Sequence, residues 1–444
     1  METRVKAIQK IPLTGSQSAA ASASRRRSPA ILIASCVLVL AFTARIAAQQ
    51  PLSLADADQQ GQFLFQQSGA TSMVLVVVRN RESMIKGYGE TFPGSAHTPD
   101  SKSLIRLCSL SKVFATDLLL KLAADGKLSL TDPLTRYAPP GKHVPVAADG
   151  TEITLQDLAT HTAGLPREIS AYPKKSPHFT FPDYTQRWAW LQKQELITPP
   201  GTAALYSNVG FDFLGDALAY ASSKSYAQLL HDRLLQPLGM WDTTLVPSFE
   251  QCARLLRGDR DEGPCTDTLA SGASGGIYST PADMVKFLQY LLHVSGSPAQ
   301  PSTALAVSLE PHQLKSIQGL SHAGDPTGIG LAWIQLGDPA TPSSLLEKTG
   351  GGAGFTTYIA LNPSRKTAVF LAIAEGKGRS QIDFFHESNN LLAALANVPA
   401  LPPRVRHLRV AAKHTKPSSP AARNRRHHLT RQVKSRPASA NKKN

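Results

Sequence analysis

Six apolar residues stand side by side from Met73 to Val78, four of them valine. A short run of this kind predicts a β-strand. The polar stretch Arg79-Asn80-Arg81-Glu82 follows as a turn, and Met84 to Gly89 resumes the strand pattern, so the two predict a hairpin. Ahead of them, Leu54 to Gln67 places Leu54, Phe63 and Leu64 at helical intervals. Ser109 to Ala123 predicts another helix, with Leu118, Leu119, Leu120 and Leu122 apolar and Gly126 as its stop. From about 130 to 300 the chain reads as helices and loops, punctuated by Pro139-Pro140, Pro199-Pro200-Gly201 and Pro281. Three β-rich runs then come close together, at 329–336, 355–361 and 367–374, and a helix near 380–396 ends the pattern. Strands at both ends and helices between them predict an α+β fold. It is one antiparallel sheet built from the N- and C-terminal segments, flanked by helices, with a mainly helical middle subdomain. A site would fall between sheet and insertion.

Charge first suggests nucleic acid, because the 444 residues carry a net +15. Its location removes that reading. Residues 1–48 hold seven Lys/Arg and one acid, and residues 401–444 hold thirteen Lys/Arg and no acid, leaving 27 basic and 31 acidic residues between. The folded part, residues 49–400, is mildly acidic, and the basicity belongs to the ends. Arg25, Arg26 and Arg27 precede an apolar run from Ile31 to Phe42, with Ile46-Ala47-Ala48 as a small-residue cleavage site. Residues 1–48 therefore read as a signal peptide for export to the periplasm, with a retained inner-membrane anchor as the alternative. The Pro-, Ser-, Lys- and Arg-rich segment 401–444 has almost no large apolar residue after Val410 and predicts a disordered tail. An anionic envelope polymer or membrane surface suits its charge better than nucleic acid does.

Cys252 and Cys265 flank a charged loop, thirteen positions apart. In an oxidising compartment they read as a disulfide, and otherwise as two free thiols. Cys108, next to Ser109, reads as a small buried cysteine rather than a nucleophile.

The candidate chemistry lies in three short elements: Ser109-Leu110-Ser111-Lys112, Tyr206-Ser207-Asn208 and Lys348-Thr349-Gly350. Ser-x-x-Lys also occurs at Ser83 and Ser439, so the order and spacing of the three carry the weight. Ser109 and Lys112 share one helix face. A serine hydroxyl needs a neighbouring base, and a lysine serves as one when burial or nearby positive charge lowers its pKa; Lys348 is a candidate source of that charge. Tyr206 and Asn208 alternate on an extended loop, where a phenol between two ammonium groups can relay a proton. Asn208 has donors and an acceptor for a substrate amide and for Lys112. Lys348 and Thr349 suit a substrate carboxylate. Gly350, Gly351 and Gly352 strip a strand edge so that a substrate backbone can approach. The backbone N–H groups of Ser109 and Gly351 are the candidate oxyanion hole. A phosphate-binding loop would need its glycines before the lysine, whereas here they follow it. The set calls for no cofactor and no metal.

In this order the three elements resemble the penicillin-recognising serine enzymes. The Tyr-x-Asn form is similar to the class C β-lactamase and DD-peptidase branch. Further blocks, among them Tyr88-Gly89-Glu90-Thr91, Leu158-Ala159-Thr160-His161-Thr162, Leu165-Pro166-Arg167-Glu168 and Tyr278-Ser279-Thr280-Pro281, resemble the D-alanyl-D-alanine carboxypeptidase/endopeptidases of that branch. The resemblance implies a serine hydrolase acting on peptidoglycan stem peptides through an acyl-enzyme, and acylated by β-lactams at Ser109. Lys112 and Tyr206 would move the proton, and Asn208, Lys348 and Thr349 would hold the substrate. A class C-like β-lactamase or an esterase of the same fold would use the same residues.

Overall fold

A computed structural model of the chain describes residues 51–169, 173, 176–260, 263–294 and 311–403. The expected signal segment, with Cys36, and the basic tail from residue 404 onward lie outside the described residues.

The main sheet has seven antiparallel strands. Numbered within this sheet alone, they are β1 (Ser72–Arg79), β2 (Glu82–Gly89), β3 (Gly328–Ile329), β4 (Ile334–Leu336), β5 (Leu345–Gly352), β6 (Phe355–Asn362) and β7 (Thr367–Ala374), in the spatial order β2-β1-β7-β6-β5-β4-β3. The hairpin near the N-terminus thus closes onto the strand nearest the C-terminus. β1 and β7 run in full register, from Ser72 opposite Ala374 to Arg79 opposite Thr367.

Helices cover both faces, which explains the unbroken apolar run in β1. Val74, Val76 and Val78 face one core and Met73, Leu75 and Val77 face the other, all fully buried. The second core lies under helices α1 (Leu54–Ser68) and, at the end of the fold, Phe384–Ala396. Ser53 caps α1 through a reciprocal pair with Asp56, and Gly69 ends it in the left-handed conformation. The first core holds α2 (Ser111–Ala124) and α3 (Asn208–Ser222). α2 is apolar nearly all round rather than along a stripe: Leu118, Leu119 and Leu122 are buried with Val113, Phe114 and Ala115. It runs through the middle of the molecule.

The structure differs from the sequence expectation at three places. The run 329–336 is a hairpin, β3–β4, not one strand. Its turn residues Leu331, Ala332 and Trp333 are apolar because the turn is itself buried, with Ala332 N–H donating to Ala159 O at 2.8 Å. The helix expected from Ser109 begins at Ser111; Cys108–Leu110 form one 3₁₀ turn ahead of it. Asn208 is the first residue of α3, not part of an extended loop, since Ser207 caps the helix by accepting from Gly210 N–H at 2.9 Å.

Candidate active site

Ser109 stands at the mouth of the molecule's interior because the turn that carries it is tied down on every side. Leu107 N–H donates to Ile277 O at 2.9 Å, and Ile277 N–H to Ser111 Oγ at 3.0 Å. Thr357 Oγ1 on β6 donates to Leu107 O at 2.9 Å. Cys108 takes φ +52° at the bend, a conformation that costs a residue with a β-carbon. Its thiol is fully buried and directed at Gly352 O, 3.2 Å away.

Two side chains reach the Ser109 hydroxyl. Tyr206 Oη donates to Ser109 Oγ at 2.5 Å, and Lys112 Nζ lies 3.4 Å from the same oxygen. Lys112 is wholly buried, and its other bonds go to Asn208 Oδ1 at 2.6 Å and Ser274 O at 2.5 Å. Those two oxygens only accept, so they take two N–H groups whatever the charge of the lysine. In the neutral amine the third direction, toward Ser109, is left to the lone pair. Burial pushes the Lys112 pKa down; the neighbouring Arg167 guanidinium adds to this, and the Asp212 and Glu168 carboxylates oppose it. Arg167 is thus one cation that assists, and Lys348, which repels Lys112 in turn, is the other.

Three positive groups surround the Tyr206 ring: Arg167 Cζ at 4.8 Å, Lys112 Nζ at 5.0 Å and Lys348 Nζ at 5.4 Å from its centre. Lys348 is only 3% exposed and donates to Thr349 O at 2.7 Å. Its pKa is depressed, first by burial. It therefore lies under the cleft floor. Arg167, Thr349, Gly350 and Gly351 are among the residues that line the cleft with Ser109 and Tyr206, around a volume of about 230 Å³.

β5 forms one wall. β4 pairs with it only as far as Glu347, so among the described residues Lys348 to Gly352 are paired to β6 alone and present a free edge toward Ser109. At Gly350 a β-carbon would meet Thr357 Oγ1 at 2.2 Å, Leu107 O at 2.9 Å and Ser109 N at 3.2 Å. Only glycine lets the strand lie this close to the nucleophile's turn.

All eight candidate site residues, Ser109, Lys112, Tyr206, Asn208, Lys348, Thr349, Gly350 and Gly351, come together here. Cys252 and Cys265, joined as a disulfide with Cα atoms 5.7 Å apart, lie outside the cleft. They close the loop whose Gly263 and Pro264 carbonyls accept from Arg106 Nη2, each at 3.0 Å. Among the described residues no cluster of His, Cys, Asp and Glu is arranged to hold a metal.

Four further residues belong to the site without having been singled out for it. Arg167 stacks on Tyr206, and Glu168 accepts from Asn208 Nδ2. His161 accepts from Ser207 N–H at 3.0 Å and packs its ring 4.5 Å from that of Tyr206. Burial holds it neutral, well below the usual histidine range. Asp212 lies behind Lys112. One signal was readable: Asp212 and Asp216, one turn apart, interrupt the apolar stretch Val209 to Leu218. Arg167 and Glu168 stand in one of the blocks that carry the resemblance, but nothing local gives them a role; they arrive from a separate loop.

The sequence profile of the β-lactamase family matches residues 54–385. The chain is 39% identical over 349 residues to the D-alanyl-D-alanine-carboxypeptidase/endopeptidase AmpH of Escherichia coli (strain K12), across 77% of this chain and 90% of that protein. Among solved structures, the β-lactamase/D-alanine carboxypeptidase of Yersinia pestis, complexed with citrate, superposes with a TM-score of 0.73 at 40% identity, covering 76% of this chain and 97% of that one. A class C β-lactamase from Rhodobacter sphaeroides, at 21% identity and a TM-score of 0.59 over 76% of this chain and 98% of its own, shares the fold.

Proposed function

The chain belongs to the β-lactamase family, and from that premise we propose that it is a serine D-alanyl-D-alanine carboxypeptidase/endopeptidase acting on peptidoglycan stem peptides. The observation that carries this reading is the junction of Ser109, Lys112 and Tyr206 beside the free edge of β5. The 39% identity to a carboxypeptidase/endopeptidase across 90% of its length supports the substrate class.

An extended stem peptide would add to the Lys348–Gly352 edge through main-chain hydrogen bonds. Its scissile carbonyl would then lie at Ser109. As Ser109 Oγ bonds to the carbonyl carbon, its proton passes to Lys112 Nζ, and the carbonyl oxygen, now negative, is held by the N–H groups of Ser109 and Gly351. Tyr206 Oη protonates the departing D-alanine amine and is reprotonated from Lys112. An acyl-enzyme on Ser109 remains, and water, activated by the same pair, releases it. Asn208 holds the substrate amide as well as Lys112. Thr349 and Arg167 meet the terminal carboxylate at the surface, while Lys348 contributes its charge from below. A β-lactam enters the same path, its ring amide in place of the peptide bond.

The chain is exported in this reading, with residues 1–48 as a signal peptide and 401–444 as a basic tail suited to anionic envelope polymers. The Cys252–Cys265 disulfide accords with an oxidising compartment. No helix among the described residues is long and apolar enough to cross a membrane.

The test exposes the protein to a fluorescent penicillin, a D-Ala-D-Ala muropeptide and a chromogenic cephalosporin. A lasting label that Ser109→Ala abolishes, together with D-alanine release, is the expected result. Rapid cephalosporin turnover without D-alanine release would make the protein a class C-like β-lactamase. The absence of both label and turnover would refute acyl-enzyme chemistry.

A further inference from the structure

One buried acid has no part in the reaction above. Asp212 follows Asn208 by one turn of α3, so both point the same way, toward Lys112. It is 4% exposed. Ser274 sits between acid and lysine: its backbone carbonyl accepts from Lys112 Nζ at 2.5 Å, and its hydroxyl, which donates to Ser271 O at 3.3 Å, lies near enough to the Asp212 carboxyl to favour the ionised form. Asp212 Oδ1 is left with no hydrogen-bond partner among the described residues, and so is the buried Tyr226 Oη. Both residues line one small cavity, with Arg187, Asp216 and Ala270 on its other sides and a volume of about 20 Å³. A water needs roughly 10–15 Å³ and two or more polar partners, so the cavity fits one.

We propose that Asp212 is a positioning residue that sets the charge of Lys112 from behind, with its free oxygen and Tyr226 Oη holding one buried water. The inference rests on Lys112 being the base that takes the Ser109 proton.

The charges around the pair argue for this. Arg187 is satisfied by Asp216, through Nε to Oδ2 at 2.7 Å and Nη2 to Oδ1 at 2.6 Å. Its Nη1 donates to Pro182 O and Ala270 O. Asp212 is therefore the carboxyl of this cluster left without an Arg187 hydrogen bond; it feels the Arg187 charge first and Lys112 next, and Lys112 is the one of the two that can exchange a proton with it. One proton shared between them gives either ammonium with carboxylate or amine with carboxylic acid, at the same total charge. Burial pushes Lys112 down and Asp212 up, so the first form, with Asp212 ionised, is closely matched in stability with the second form. That form leaves the lysine lone pair free for Ser109. Cys108, Arg167 and Glu168 also act on the lysine, and Lys348 and His161 lie on its Tyr206 side. Their charges are unchanged when only Asp212 is altered.

The experiment is the rate of Ser109 labelling by penicillin across pH. Protonation of Lys112 stops labelling on the acid side. Asp212→Asn removes the carboxylate that favours the ammonium, so the acid limb should move to lower pH by about one unit, and Asp212→Glu should return it toward wild type. Ser274→Ala, which removes only a hydroxyl that favours the carboxylate, should move it the same way by less. That variant decides the matter if Asp212→Asn does not fold. An unmoved limb in folded Asp212→Asn, or in Ser274→Ala when the other is unfolded, overturns the role of Asp212 alone. A Lys112→Arg protein that labels at the wild-type rate overturns the base assignment, and the inference with it.

Discussion

The phenol of Tyr206 donates to the hydroxyl of Ser109 across 2.5 Å, although the two residues are 97 positions apart in the chain. The contact makes the phenol the group nearest the nucleophile's oxygen, and leaves the serine proton to Lys112 Nζ, 3.4 Å away.

Tyr206→Phe keeps the ring among His161, Arg167, Lys112 and Lys348 and deletes only the relay. The expected result is a fall in kcat/KM for a D-Ala-D-Ala peptide of about 10²–10⁴-fold, with thermal stability close to wild type. Full peptidase activity in Tyr206→Phe would falsify the relay.

Gly350→Ala tests the close approach of β5 to the nucleophile's turn. The added methyl would lie 2.2 Å from Thr357 Oγ1 and 2.9 Å from Leu107 O, so either strand or turn must move. Urea denaturation should show a loss of about 1–3 kcal/mol. Penicillin labelling should slow more than tenfold, because the turn that moves carries Ser109. A variant with unchanged stability and labelling would mean that the turn yields at no cost.

Arg167 is exposed at the cleft while Lys348 is buried beneath it. Arg167→Gln should raise KM for a peptide ending in a carboxylate about tenfold and change KM much less for the same peptide ending in an amide. Equal effects on both would leave Arg167 to the Tyr206 ring alone.

The buried Glu347 makes stability depend on pH. It is 1% exposed, its Oε2 has no hydrogen-bond partner among the described residues, and burial raises its pKa from 4.5 to about 8. Between those values the folded state keeps a proton that the unfolded chain releases. Its contribution is therefore complete below pH 4.5 and is lost as pH rises toward 8. Glu347→Gln should flatten the pH 5–8 slope and stabilise the protein at pH 8 by roughly 3 kcal/mol. A slope identical to wild type in urea titrations at the two pH values would locate the pH dependence elsewhere.

Breaking the Cys252–Cys265 disulfide frees the loop that anchors Arg106, three residues ahead of the nucleophile. Cys252→Ser with Cys265→Ser should cost about 3 kcal/mol by loop entropy. Penicillin labelling should slow without disappearing, since Ser109 is also held through Ile277 and Thr357. Melting curves with and without reductant read the first effect.

The sequence by itself determined the hairpin and the last two strands of the sheet, whereas β3 and β4 read as a single run. The hairpin at 72–89 and the strands at 355–362 and 367–374 are strongly apolar and bounded by polar turns, and such patterns are local. It also placed the catalytic candidates, since Ser109, Lys112, Tyr206 and Lys348 are unusual in company and in order. Tertiary structure decided what surrounds them. The buried β3–β4 turn has Gly330 followed by three apolar residues, Leu331, Ala332 and Trp333, because burial reverses the usual polarity of a turn. Arg167, Glu168 and Asp212 gain meaning only once separate segments close around Lys112. The protonation of that lysine is set by desolvation and by charges far off in the chain, and burial exists only in the folded molecule.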